Sequence, residues 1–172
     1  MGIKQALLLA LMALGVGLLA NTVSPDGIPV IGKYRSLSGG NGPVVPPTAE
    51  PGDPPFIDIA RAQLEFDLGD VLFIDARDES EFACGTIPGS VNIPFEYLPD
   101  DDLEGYFESV LGKDRKDRLL ITYCSGEECD LSLHLARNLQ DLGYTNVVIF
   151  FGGSREWEKY DLGLERGPEC EN

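Results

Sequence analysis

The sequence predicts an α/β domain with a mainly parallel central sheet covered by helices on both faces. Three observations predict it. Val71-Leu72-Phe73-Ile74, Leu119-Leu120-Ile121-Thr122-Tyr123 and Val147-Val148-Ile149-Phe150 are short, nearly continuous apolar runs. Such runs mark strands buried on both faces, where no polar side alternates with an apolar one. Stretches with helical spacing of apolar residues lie between them, and Gly, Pro and Asp stand at the junctions. In sheets of this kind ligands bind at the carboxyl ends of strands, where Asp75 and Cys124 stand.

Taken in order, the chain opens with a short, weakly basic start, Met1 to Gln5. Every residue from Ala6 to Ala20 is apolar or Gly, and Asn21-Thr22-Val23 extends the run. With its flanks this approaches the roughly 20 residues that span a bilayer as a helix. Leu18-Leu19-Ala20 is a poor signal-cleavage pattern. The expectation is therefore one uncleaved N-terminal transmembrane or signal-anchor helix over 1–23. Such an anchor places the domain on the extracytoplasmic (periplasmic) side, although the flanking charges set orientation only weakly. Residues 24–55 are rich in Gly and Pro and carry no apolar period, which predicts a linker.

The folded domain is expected over 56–167, with a tail at 168–172. Ile57-Asp58-Ile59 reads as a short strand or as the entry to a helix, and Ala60 to Leu68 carries helical spacing, with Asp58 as its candidate cap and Gly69 as its stop. The strand ending at Asp75 follows. A short helix begins at Asp78-Glu79-Ser80-Glu81-Phe82, and Ile87-Pro88-Gly89 turns into a brief strand, Ser90 to Ile93. Pro94 to Gly112 holds one or two helices with Leu103, Tyr106, Phe107, Val110 and Leu111 on an apolar face. After the strand Leu119 to Tyr123, a helix runs from Asp130 to Leu142 and stops at Gly143. The strand Val147 to Phe150 and a last helix, Ser154 to Tyr160 around a core Trp157, complete the domain.

Charge and cysteine usage narrow the function classes. Lys and Arg number 13 against 29 Asp and Glu, a formal charge of −16. No basic patch offsets this, so nucleic acid is excluded as a partner. The four cysteines, Cys84, Cys124, Cys129 and Cys170, form no C-x-x-C pair, and His134 is the one histidine. That argues against a zinc site, and no metal or organic cofactor is implied. His134 falls within the helix after Cys124 and reads as a packing or surface residue.

Cys124 is the candidate catalytic residue. A strand delivers it into a polar loop, Ser125, Gly126, Glu127, Glu128, Cys129 and Asp130, that leads into a helix. Loop amides and the positive end of a helix favour an anion there, and a thiolate is one. The expectation is a lowered Cys124 pKa and a nucleophilic thiol. Asp75, Arg77 and Glu81 are read as supporting residues that fix loop geometry, with an Arg77–Glu81 pair four residues apart.

With these residues identified, the domain resembles the rhodanese family. Val71 to Arg77 followed by Glu81-Phe82, Gly85 to Pro94, Tyr123-Cys124, and Gly143-Tyr144 with Val147 to Trp157 match its motifs in order. The resemblance implies a sulfurtransferase that carries sulfane sulfur as a persulfide on Cys124 and passes it to a thiol acceptor, a two-step covalent mechanism. A small-molecule or protein persulfide is the implied donor. Three departures bear on this. Thr86 stands where the family usually has His. Cys129 stands where thiosulfate users commonly have Arg. Asp130 stands where the related phosphatase loop needs Arg, so phosphatase activity is not expected. The carboxylates of Glu127, Glu128 and Asp130 oppose a dianionic donor such as thiosulfate. Cys129 could resolve a Cys124 persulfide or pair with Cys124 as a disulfide. An exported domain would also permit a Cys84–Cys170 disulfide. Two other readings stay open: a non-catalytic docking module, and a thiol-disulfide redox protein using Cys124 and Cys129.

Overall fold

A computed structural model describes residues 42–113 and 116–170, with scattered positions between Gly2 and Ala20. The expected anchor over 1–23 lies largely outside the described residues, as do residues 24–41 of the expected linker. Among the described residues no helix is long and apolar enough to cross a membrane.

The elements alternate as expected: α1 (Ile59–Leu68), β1 (Val71–Asp75), α2 (Glu79–Cys84), β2 (Val91–Asn92), α3 (Leu103–Leu111), β3 (Leu119–Tyr123), α4 (Leu131–Asp141), β4 (Val147–Phe150) and α5 (Gly153–Lys159). Short 3₁₀ turns occupy Phe95–Tyr97 and Pro168–Cys170. The four strands form one parallel sheet in the order β2-β1-β3-β4. Register aligns Asp75 with Tyr123 and Tyr123 with Phe150, so the carboxyl ends of the three long strands lie level. Phe56 adds a parallel bridge to Ile149 on the free edge of β4, which places the chain for entry into α1.

Local chemistry sets the helix ends. Asp58 accepts the Arg61 N–H and caps α1, and Gly69 at φ 75° closes it. Asp78 caps α2 through the Glu81 N–H at 2.8 Å. The two-residue periodicity of the strands sends neighbours to opposite faces. Ile74, Leu120 and Ile149 join Phe107, Leu111, Leu133, Leu135 and Leu139 on the side of α3 and α4. Phe73, Ile121, Tyr123 and Phe150 join Ile59, Ala62 and Trp157 on the side of α1 and α5. Trp157 is buried as expected, edge-on to Phe66, Phe73 and Phe150.

Residues 42–55 differ from the linker expectation. Val44 is buried in the core of the α3–α4 face. Asp53 accepts two hydrogen bonds from the Arg137 guanidinium of α4, at 2.7 and 2.9 Å. Gln140 donates to the Gly52 carbonyl at 3.3 Å. The segment is held by the buried Val44, Pro46 and Pro54 and by ion pairing, whose spacing produces no hydrophobic period.

The C-terminal segment is likewise tied to the domain. Thr86 and Glu165 exchange backbone hydrogen bonds at 2.9 and 2.8 Å, and Gly167 N–H donates to Ala83 O at 2.7 Å. Cys84, at the end of α2, forms a disulfide with Cys170 across a separation of 86 residues, with Cα atoms 5.1 Å apart. Closing a loop of this size removes much denatured-state entropy. Cys170→Ser is expected to lower the unfolding free energy by roughly 2–5 kcal/mol, read as an earlier urea midpoint. An unchanged midpoint would show that the cross-link adds nothing to stability.

Candidate active site

β3 lies between β1 and β4, so its carboxyl end is the centre of the sheet edge. The chain leaves the sheet at Cys124 and turns through Gly126, whose φ of 147° is a left-handed-side value that other residues seldom adopt. The Cys129 N–H donates to Gly126 O at 2.9 Å, closing a turn just before α4. Ser125 to Asp130 thus form one loop, as expected.

Helix α5 holds that loop from behind. The Ser154 N–H donates to Cys124 O at 2.9 Å, and the Arg155 N–H donates to Ser125 O at 3.2 Å. Gly153 makes the approach possible. A Cβ at this position would sit 2.3 Å from Cys124 O and 2.8 Å from Gly126 N, and its φ is +62°. The Gly152-Gly153 pair was visible in the sequence, but nothing there linked it to the cysteine loop.

The two free thiols of the described residues, Cys124 and Cys129, belong to this one loop. Cys124 is fully buried, whereas Cys129 is half-buried. The Cys124 thiol donates to Cys129 O at 2.7 Å and receives the Ser132 hydroxyl at 3.6 Å. Ser132, a buried residue of the first turn of α4, is a contact the sequence reading missed. Burial pushes the Cys124 thiol well above its ordinary pKa, and hydrogen bonding to the Cys129 sulfur adds to the rise. Cys129 moves the other way, down to about 6. Attraction to the Cys124 side chain is the main cause, aided by the Leu131 and Ser125 backbone, and it outweighs the cost of burial. The opposite directions make Cys129 the more acidic of the two thiols.

This corrects the expectation of a lowered Cys124 pKa. The helix start favours a thiolate, but the thiol it lowers is Cys129, beside the Leu131 backbone at the start of α4. Cys124 lies one layer deeper, where desolvation dominates. The sign of the consequence follows. Iodoacetamide should label Cys129, with a rate that is present above a midpoint of about 6 and lost below it as the thiolate protonates. In Cys129→Ser the remaining thiol is buried, so the midpoint should move up. Labelling of Cys124 first, or a midpoint at the value of a free cysteine, would contradict this distribution of charge.

The supporting residues lie beside the loop. Asp75 is fully buried and takes a bidentate pair from Arg77 at 2.9 and 2.6 Å. Arg77 also donates to Gly85 O at 2.6 Å. Asn92 donates to the carbonyls of Asp75 and Arg77 at 3.1 and 2.8 Å. The expected Arg77–Glu81 pair is not the arrangement found. Arg77 bonds its neighbour two residues back, and Glu81 acts on it only through longer-range attraction. The Tyr123 hydroxyl shares a proton with Thr86 at 2.6 Å, accepts the Ile87 N–H at 3.0 Å and donates to Ser90 at 3.0 Å. These contacts join β1, β3 and the 85–92 segment into one buried frame at the carboxyl ends of β1 and β3. Thr86, at the position where the resemblance expects His, is a member of that buried frame.

A cavity of about 240 Å³ opens beside Ser125. Arg77, Arg155 and Arg166 line it together with Glu81 and Glu158. His134 stacks on Phe95, its ring centroid 5.5 Å away, and stands apart from both thiols as a packing residue. Among the described residues no group of three or more His, Cys, Asp or Glu could hold a metal ion.

Comparison with known proteins adds independent findings. The model of the rhodanese-like domain matches residues 58–160. A thiosulfate:glutathione sulfurtransferase of Saccharomyces cerevisiae is 33% identical over 104 residues, covering 54% of this chain and 71% of the yeast protein. An HTH-type transcriptional regulator of Mycobacterium tuberculosis is 31% identical over 111 residues, 63% of this chain. The match spans only 45% of that regulator. The solved structure of a human single-domain sulfurtransferase shares the fold at a TM-score of 0.51, with 24% identity over 61% of this chain and 96% of the human one.

Proposed function

The chain belongs to the rhodanese-like domain family, and we propose that it is a sulfurtransferase that carries sulfane sulfur as a persulfide on Cys124. The observation that carries this reading is the loop itself. It presents a cysteine at the carboxyl end of the central strand, pinned by α5, with the carbonyl of a second cysteine 2.7 Å from its sulfur.

In the proposed first step the Cys124 proton passes to the Cys129 thiolate. The Cys124 sulfur then attacks the outer sulfur of a persulfide, R–S–SH. The donor S–S bond breaks, R–S⁻ leaves and takes the proton held at Cys129, and Cys124–S–SH remains. In the second step an acceptor thiol gives its proton to the Cys129 thiolate, attacks the outer sulfur and leaves as R′–S–SH, and the Cys124 thiolate takes that proton back from Cys129, which restores the starting state. Backbone N–H groups of the loop oppose the charge that develops on the terminal sulfur.

Glu127, Glu128 and Asp130 favour a donor of lower negative charge than thiosulfate. The cavity beside Ser125, lined by guanidinium and carboxylate groups alike, suits a small zwitterionic thiol persulfide. The yeast relative, named for thiosulfate and glutathione, supports a low-molecular-weight thiol as one of the two substrates. The Cys84–Cys170 disulfide supports an oxidising compartment. The apolar run from Ala6 to Ala20 supports attachment to a membrane, with the domain on its extracytoplasmic face.

The test is intact mass of the Cys129→Ser protein after incubation with glutathione persulfide and, separately, with thiosulfate. The variant retains a single thiol in the loop, so any sulfur taken up stays in place; because it lacks the proton acceptor, it is loaded to completion at alkaline pH. A gain of one sulfur from the persulfide, and little or none from thiosulfate, is the expected result. No gain from either donor would favour a docking module without catalysis.

A further inference from the structure

Cys129 does more in this loop than hold a proton. A cysteine kept only for its small size would sit among apolar neighbours. Cys129 instead is half-open to solvent just before α4, and its carbonyl oxygen lies 2.7 Å from the Cys124 Sγ. The two residues are five apart in one loop, and the backbone between them is closed by the Gly126–Cys129 turn. A persulfide built on Cys124 would therefore form beside a second thiol held in the same closed loop.

We infer that Cys129 is the resolving residue of the reaction: it displaces the sulfane sulfur from Cys124 as hydrosulfide and closes a Cys124–Cys129 disulfide. This rests on the sulfur-carrier reading above. The step balances. The Cys129 thiolate attacks the Cys124 sulfur, the bond between Cys124 and its terminal sulfur breaks, and HS⁻ leaves. The sulfane sulfur is reduced to sulfide while the two cysteines are oxidised to a disulfide. Restoring the dithiol needs a dithiol reductant, which takes over the disulfide through a mixed intermediate. The net reaction converts a persulfide and a dithiol into a thiol, hydrogen sulfide and a disulfide. The partner implied is a reduced dithiol able to reach Cys129, the more open of the two sulfurs.

The experiment uses the full chain, glutathione persulfide as donor, a sulfide electrode, and mass spectrometry without reductant. The Cys124→Ser/Cys129→Ser protein, which has no thiol in the loop, records sulfide released by the donor alone. Above that background, wild type is expected to release one equivalent of sulfide per chain and to lose two hydrogens, with the Cys84–Cys170 bond intact throughout. Added dithiothreitol should then sustain turnover. Cys129→Ser should keep one sulfur on Cys124 and release no sulfide until a thiol is supplied. If wild type retains the sulfur as Cys129→Ser does, with no new disulfide, the inference falls and the carrier reading stands. If Cys129→Ser takes no sulfur even after prolonged loading at alkaline pH, where solvent removes the Cys124 proton in place of Cys129, the carrier reading falls and the inference with it.

Discussion

Cys124→Ser is expected to lower sulfur transfer from a persulfide donor by roughly 10³-fold or more, the scale of removing a covalent nucleophile. A serine oxygen cannot take the sulfane sulfur and stays protonated at neutral pH. The fold should survive, because serine is nearly isosteric. Its hydroxyl can donate to the Cys129 carbonyl that Cys124 contacts at 2.7 Å. The expected stability change is within about 1 kcal/mol. Steady-state transfer to a thiol acceptor, measured beside a urea curve, separates the two effects. Transfer at an appreciable fraction of the wild-type rate would remove Cys124 from the chemistry. The Cys129 thiolate would remain in that variant, so residual activity would point to Cys129 as the first sulfur acceptor.

Gly153→Ala should be the most damaging small substitution near the site. The added methyl meets Cys124 O at 2.3 Å and Gly126 N at 2.8 Å, and both are backbone atoms that cannot swing aside. The residue also has φ of +62°, costly for any side chain. Strain and overpacking together are expected to cost roughly 2–5 kcal/mol. Relief requires α5 to move off the loop, which breaks the Ser154 and Arg155 N–H bonds to the carbonyls of Cys124 and Ser125. Transfer should therefore fall along with stability, and the alkylation midpoint of Cys129 should rise as the loop amides lose their aim. Gly163→Ala, where a methyl meets open space, is the matched control and should change neither. A Gly153→Ala protein with wild-type stability and alkylation would show that α5 does not position the loop.

The contrast between these two residues shows what the sequence could and could not reveal. Strands, helices and caps were legible because each leaves a local trace: the apolar runs of β1, β3 and β4, Asp58 before α1, and Gly69 after it. Cys124 was legible because a reactive residue ends a strand. The charge of the pair was not, since it depends on which sulfur is more desolvated and which one the α4 amides reach. Those are differences of a few ångströms within one loop. Gly153 and Ser132 were illegible as site residues because their link to Cys124 runs through tertiary contacts. Arg77 was placed beside the site correctly, but its partner proved to be Asp75 rather than Glu81, because a buried carboxylate at a strand end outcompetes a solvated one on a helix. The pairing of Arg137 with Asp53 lies in the same class, joining residues 84 apart and making part of an apparent linker a structural segment.

The most direct measurement of the central claim is to locate the sulfur after loading. Cys129→Ser protein would be exposed to glutathione persulfide, its persulfide trapped by alkylation, and the peptide holding residue 124 identified by fragmentation. The account predicts one sulfur, on Cys124, that a thiol acceptor then removes. A sulfur found elsewhere, or on no residue at all, would contradict it.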